Sequence, residues 1–187
     1  MPLYFSANAT DLQQLVYCFH AFFSFSLVAS SIYCLNDAVD VKEDRLNPEK
    51  AKRPVASGEL PIQTAVGLAI VLFVGGLSIQ ILTGMNKGVI MATLIYFALN
   101  MAYVFKLKQV AIIDVMCVAS GFVLRVVVGG CAADVVLSHW IVLMTFLLAT
   151  FLAFAKRRDD VLYYLKKGIV ARKNIGRYNT TLGIVTI

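Results

Sequence analysis

Charge is scarce in this sequence: acidic and basic residues make up 15% of 187 positions, hydrophobic ones 59%, and the mean hydropathy is +0.77. A water-soluble globular domain carries about a quarter of its residues as charges, so that class is excluded and an integral membrane protein is implied. Cysteine is sparse and badly placed for metal or disulfide chemistry. Cys18, Cys34, Cys117 and Cys131 lie in apolar stretches without the paired spacing of a zinc site and read as small buried hydrophobes. His20 has no second ligand three or four residues away and reads as a packed residue. A glycine-rich phosphate loop is also lacking. Gly75, Gly76, Gly121, Gly129 and Gly130 sit inside apolar runs, where small residues let membrane helices approach closely. The formal charge of +6 would suggest nucleic acid in a soluble chain. No nucleic-acid motif accompanies it, and the basic residues fall between apolar runs, where they set orientation.

Five runs are long enough to cross a bilayer: 12–35, 62–82, 88–105, 110–132 and 137–155. The first gives about 36 Å of helix and lacks the basic start and small-residue cleavage site of a signal peptide. The expected fold is all-α, a multi-span transmembrane helical bundle. Lys42, Arg45, Lys50, Lys52 and Arg53 fill the first connection, Lys106 and Lys108 the third, and a basic run follows Lys156. The second and fourth connections hold Lys87 and nothing basic. By the positive-inside rule the basic connections face the cytoplasm and the N-terminus lies outside, which predicts a multi-pass cell (inner) membrane protein.

The remaining charge is concentrated in 36–58. On a helix, Asn36, Asp37, Asp40 and Asp44 fall within an arc of roughly 100°, with Glu43 beside them. Asp40 and Asp44 form an i, i+4 like-charge pair that costs a bare helix a few tenths of a kcal/mol, and a bound cation reverses that sign. Oxygen ligands suit Mg²⁺, which is usually held by one or two carboxylates plus substrate phosphate oxygens. Arg45, Lys50, Lys52 and Arg53 follow, and suit phosphate oxygens beyond the metal's reach. On spacing alone, a solvated loop between membrane helices is an equal alternative.

Three further groups stand out. Tyr103, Lys106 and Lys108 place a phenol and two ammonium groups at the same surface, where snorkelling anchors are the ordinary alternative to phosphate contacts. Asp114 and Arg125 lie within the fourth span, about 16 Å apart on one helical face, so each needs a partner other than its neighbour. Arg125 could equally cap backbone carbonyls of a neighbouring helix. The fifth span ends in Lys156-Arg157-Arg158-Asp159-Asp160, which an ordinary cationic helix end would also resemble. Beyond it, 163–177 reads as a basic amphipathic helix on the inner leaflet, and 179–187 is apolar.

The pattern Asn36-Asp37-x-x-Asp40-x-x-x-Asp44 at the end of a span resembles the first aspartate-rich motif of the UbiA-type intramembrane prenyltransferase superfamily. The continuation Asn47-Pro48-x-Lys50-x-x-Arg53-Pro54-x-Ala56-x-Gly58 is similar to the branch containing decaprenyl-phosphate phosphoribosyltransferase. So are the residues around Tyr103 and Lys108, Asp114-Val115, and Gly121-Phe122-Val123-Leu124-Arg125 with Gly129. The resemblance runs to about Asp160. It implies Mg²⁺-dependent transfer of a 5-phosphoribosyl group from phosphoribosyl diphosphate to a polyprenyl phosphate, with release of diphosphate. In that reading Asp37, Asp40 and Asp44, helped by Asn36, hold Mg²⁺, while Arg45, Lys52 and Arg53 bind donor phosphates. Tyr103 and Lys108 bind the donor or the lipid phosphate. Asp159 or Asp160 serves as a metal or ribose-hydroxyl ligand, and Lys156 and Arg157 contact phosphate. Asp114 and Arg125 receive no role.

Most other members of the superfamily move a prenyl group from a prenyl diphosphate to an aromatic acceptor and carry spaced aspartates as their second motif. The Lys-Arg-x-x-acid form at Lys156 favours the phosphoribosyl branch. A transporter or regulatory membrane subunit is the more distant alternative. The resembled fold has nine spans with the first motif after the second, so 1–187 is expected to be one partial domain, lacking one N-terminal helix and about three C-terminal ones.

Overall fold

The computed structural model describes residues 12–110 and 112–167, with side chains through 159. The described chain is helical: α1 (Leu12–Val39), α2 (Val41–Asp44), α3 (Pro54–Ser57), α4 (Ile62–Leu82), α5 (Lys87–Phe105), α6 (Ile113–Ala132) and α7 (His139–Lys167). Five of these, α1 and α4 to α7, are long and apolar enough to cross a membrane. Each coincides with an expected span to within a few residues, except that α7 continues without a break to Lys167. Residues 163–167 therefore extend a membrane helix instead of starting a separate surface helix. The rest of the expected surface helix and the apolar 179–187 lie outside the described residues.

Helix α1 is the centre of the bundle. It packs along α4 and touches α5 and α6, while α6 sits between α5 and α7. The α1–α4 contact needs a small residue. A Cβ on Gly76 would stand 2.7 Å from the Ser24 carbonyl oxygen and 2.8 Å from Val28 Cγ2. Ala65 and Ala69 are buried on the same helix, as expected where backbones approach closely. Gly75 differs from its neighbour, because a Cβ there would meet open space. Between α4 and α5, buried Gln80 donates from Nε2 to Thr93 Oγ1 at 3.1 Å. Large apolar side chains such as Ile70 and Val71 on α4, and Leu148 and Phe151 on α7, point outward, as a bilayer solvent allows.

The ends of α1 and α5 and the start of α6 lie at one end of the bundle, with the 45–61 connection and residues 106–110. The turn chemistry of the first connection is explicit in its sequence. Pro54 occupies the first turn of α3 and holds the preceding Arg53 extended, at φ −66° and ψ 144°. Gly58 closes the same helix in the left-handed region at φ 89°. Asn47, buried, accepts the Glu49 amide on its own side chain at 3.0 Å and tightens the turn between α2 and α3.

Candidate active site: a charged cleft at one end of the bundle

A cleft of about 190 Å³ opens where these elements meet, lined by Asn36, Asp40, Glu43, Asp44, Lys50, Arg53, Asn100, Tyr103, Lys108 and Gln109 over a floor of Ile32, Tyr33 and Val104. Helix α1 ends at Val39, and Asp40 sits at the break with φ −90° and ψ 4°. The path stays nearly helical, since the Asp40 amide still donates to the Asn36 carbonyl at 2.9 Å. This keeps the acidic residues on neighbouring faces, as their spacing predicts. Arg53 Nη1 donates to Asp37 Oδ1 at 2.7 Å and to Asp44 Oδ2 at 3.0 Å. One nitrogen thus brings two carboxylates to within about 6 Å of each other. Lys108, from the connection after α5, donates to Asp40 Oδ1. Each of the three aspartates is held by a cation.

Asp44 is the most enclosed of the three, at 4% exposure. Burial pushes its carboxyl above the usual carboxylate range, Arg53 and Lys50 oppose the push, and the charge of Asp40 adds to it. The site therefore contains a carboxylate that gains from any additional cation.

The remaining sequence-predicted residues divide sharply. Arg53, Tyr103 and Lys108 join Asn36, Asp40 and Asp44 in the cleft wall, and Asp37 is tied to it through Arg53. Arg45 and Lys52 are exposed outside that wall, and Arg45 Nε donates to the Ala56 carbonyl at 3.0 Å. Arg157, expected as a phosphate contact, is buried at 4% exposure. Its Nε donates to Asp114 Oδ2 at 2.5 Å and its Nη2 to Asp114 Oδ1 at 3.2 Å. Asp159, two residues on, falls about 200° around α7 from Arg157 and is exposed, as is Lys156. The side chain of Asp160 lies outside the described residues. Helical period accounts for the split, because a face that seats Arg157 against α6 turns its acidic neighbour away.

Asp114 itself is fully buried in the first turn of α6. Besides Arg157 it accepts from the Tyr103 phenol at 2.8 Å, so the cleft wall, α6 and α7 meet at one carboxylate. Arg125 takes a different partner. Its Nη2 donates to the Tyr96 hydroxyl at 2.9 Å, and its guanidinium lies over the rings of Tyr96 and Phe122. Sequence reasoning missed Tyr33, Asn100 and Gln109 in the cleft and Tyr96 beside Arg125. Counting back from Tyr103 by helical period finds two of them, since positions 96, 100 and 103 share a face.

Among the described residues no three acidic, histidine or cysteine side chains converge to hold an ion unaided. The donors present are all oxygen, and Mg²⁺ commonly needs only one or two carboxylates when a diphosphate supplies the rest. The cleft fits a metal that arrives with its anion.

Comparison with known proteins places this arrangement. The chain matches the UbiA prenyltransferase family over residues 3–184. It is 40% identical over 161 residues to the decaprenyl-phosphate phosphoribosyltransferase of Mycolicibacterium smegmatis, covering 86% of this chain and 50% of that one. It is 39% identical over 163 residues to the protein of the same name from Corynebacterium glutamicum, covering 86% and 48%. The chain thus spans about half the length of these curated relatives. A solved UbiA homolog from Archaeoglobus fulgidus, bound to DMAPP and Mg²⁺, superposes with a TM-score of 0.72 at 19% identity, over 86% of this chain and 59% of that one. With its five membrane-spanning helices and its family match along nearly the whole sequence, this multi-pass membrane protein belongs to the UbiA prenyltransferase family.

Proposed function

We propose that the protein to which this chain belongs transfers a 5-phosphoribosyl group from phosphoribosyl diphosphate to a polyprenyl phosphate. The observation that carries the reading is the paired charge of the cleft: Asp37 and Asp44 on Arg53, and Asp40 on Lys108. A site built to receive a metal diphosphate needs both signs together, and these can exchange partners when the substrate arrives. Arg53, Lys108 and Lys50 would bind phosphate oxygens, leaving Asp37, Asp40 and Asp44 as the residues that would hold the cation. Mg²⁺ bound there would neutralise the diphosphate and make it a better leaving group.

The acceptor is already an anion, so no general base is required. Its phosphate oxygen forms the new bond to the anomeric carbon, the carbon–oxygen bond to diphosphate breaks, and diphosphate leaves with the electron pair. Asp37, Asp40 and Asp44 would hold the Mg²⁺ that offsets the negative charge growing on the departing diphosphate. The names of the relatives in Mycolicibacterium and Corynebacterium support the choice of donor and acceptor. The distribution of Lys and Arg supports a cytoplasmic cleft, with the N-terminus outside. Arg157 then acts through Asp114 and Tyr103, behind the cleft wall.

The test uses membranes containing the chain, labelled phosphoribosyl diphosphate and a polyprenyl phosphate, with and without Mg²⁺. A labelled lipid that requires Mg²⁺ and vanishes in Asp40→Ala is the expected result. Prenylation of an aromatic acid by the same membranes, with no phosphoribosyl lipid formed, would overturn the reading.

A further inference from the structure

Two neutral side chains stand in a cleft wall that is otherwise dominated by charge. Asn100 and Tyr103 are three residues apart on α5, the spacing of neighbours on one helical face, and both line the cleft. Their hydrogen bonds fix what each offers a ligand. The Tyr103 phenol has one proton and donates it to Asp114 Oδ1 at 2.8 Å. Asp114 is paired with Arg157, which stays protonated, so the carboxylate is ionised and can only accept. With its proton committed there, the phenol meets any group in the cleft through oxygen lone pairs. Asn100 is fixed by the same logic. Its Nδ2 donates to the Tyr96 carbonyl at 2.8 Å, and because a carbonyl only accepts, Oδ1 of that amide is turned away from it.

Helix α5 thus contributes two uncharged acceptors to the cleft. Neither suits a phosphate, whose oxygens are acceptors too, so the expected contact of Tyr103 with phosphate is not what its hydrogen bond favours. Their match is a pair of neighbouring O–H donors. We propose that Asn100 and Tyr103 form a subsite for the vicinal hydroxyls of a ribose ring, with Asp114 and Arg157 positioning the phenol from behind. The charge of Asp114 polarises the phenol and makes its oxygen the better acceptor. The inference rests on the phosphoribosyl reading and adds what selects its donor. A prenyl diphosphate has no hydroxyl and would leave both acceptors unpaired beside its chain, which is how a site built for hydroxyls rejects ligands without them.

The test is calorimetric binding to the chain in nanodiscs, with Mg²⁺ and without acceptor lipid. The ligands are a carbocyclic analogue of phosphoribosyl diphosphate, which keeps the diol and cannot react, the same carbocycle without its ring hydroxyls, inorganic diphosphate and geranyl diphosphate. The unsubstituted protein binds the diol ligand more tightly than the hydroxyl-free one by roughly tenfold or more, the scale of two neutral hydrogen bonds. Tyr103→Phe and Asn100→Leu each lower that ratio by roughly threefold and leave the affinity for diphosphate within about twofold. Asp114→Asn lowers it too, because its single oxygen goes to Arg157, its amide faces the phenol, and the phenol proton turns into the cleft. Misfolding lowers the fraction of protein that binds and not the ratio, and where one variant binds nothing the other two decide. A ratio near one in the unsubstituted protein would overturn the subsite. So would weakening of diphosphate as great as that of the diol ligand, which would assign the acceptors to water on the metal. Geranyl diphosphate separates the remaining failures: if it binds more tightly than the diol ligand, the phosphoribosyl reading falls and the subsite with it. A diol preference that the variants leave unchanged overturns the subsite alone.

Discussion

Replacing Arg157 or Asp114 singly should unfasten α7 from the bundle. The two side chains are 4% and 0% exposed and share two hydrogen bonds. At an effective dielectric of about 20, unit charges some 4 Å apart attract by about 4 kcal/mol, and breaking a buried pair typically costs about 3–5 kcal/mol. Much of that cost is the charge left behind, so the two variants should differ. Arg157→Ala strands a carboxylate, which can escape by taking up a proton and still accepts the Tyr103 phenol. Asp114→Ala strands a guanidinium, which has no such escape and should be the more damaging. The double variant Asp114→Leu with Arg157→Met removes both charges and should recover much of the loss. Reversible unfolding in bicelles of the unsubstituted protein, Asp114→Leu, Arg157→Met and their double variant gives the coupling energy. A coupling below about 0.5 kcal/mol, the scatter expected of independent sites, would refute the claim that these residues form one buried unit.

Other consequences can be measured in the same way. Gly76→Ala drives a methyl into the Ser24 carbonyl and Val28 and should cost about 1–3 kcal/mol, whereas Gly75→Ala meets open space and should be neutral or slightly stabilising in thermal melts. Arg53→Lys keeps the charge but loses the planar fork that can grip a phosphate with two nitrogens, so diphosphate binding with Mg²⁺, followed by calorimetry, should weaken by roughly tenfold. Asp44 provides a pH test. Its carboxyl is raised by burial, so the folded chain binds its proton more tightly than the unfolded chain does, and its contribution to stability declines as pH rises from the ordinary carboxylate range through its raised value. The melting temperature of Asp44→Asn relative to the unsubstituted protein should therefore improve between pH 4 and pH 7, and a worsening would mean that the Arg53 pair outweighs burial.

The spans were legible because a membrane helix is specified by length and apolarity alone, and 62–82 is a plain instance. The acidic half of the cleft was equally open to reading, since Asp37, Asp40 and Asp44 keep helical spacing across the break at Asp40. Pro54 and Gly58 bound the short helix that follows Arg53, a local signal from which no helix was expected at the outset. Contacts between distant segments were not legible. Nothing in the sequence tells that Lys108 meets Asp40, or that Arg157 turns to Asp114 and leaves Asp159 outside, because those depend on helix rotation set by packing. Ile112 is a further case. A β-branched residue at φ 73° has no local signal.

The Asp114–Arg157 pair also bears on how the protein is made. The two residues are 43 positions apart, so α6 reaches the translocon while its partner is still enclosed in the ribosome. During that interval it carries Asp114 and Arg125 into the translocon uncompensated, and each charge at the centre of a helix opposes insertion by about 2.5–3.5 kcal/mol, less near an end. The short 133–138 connection allows α6 and α7 to partition into lipid together, as a hairpin whose second arm delivers the missing cation. Synthesis halted before Arg157 would leave α6 held at the translocon, available to the quality-control machinery that removes unfinished membrane proteins.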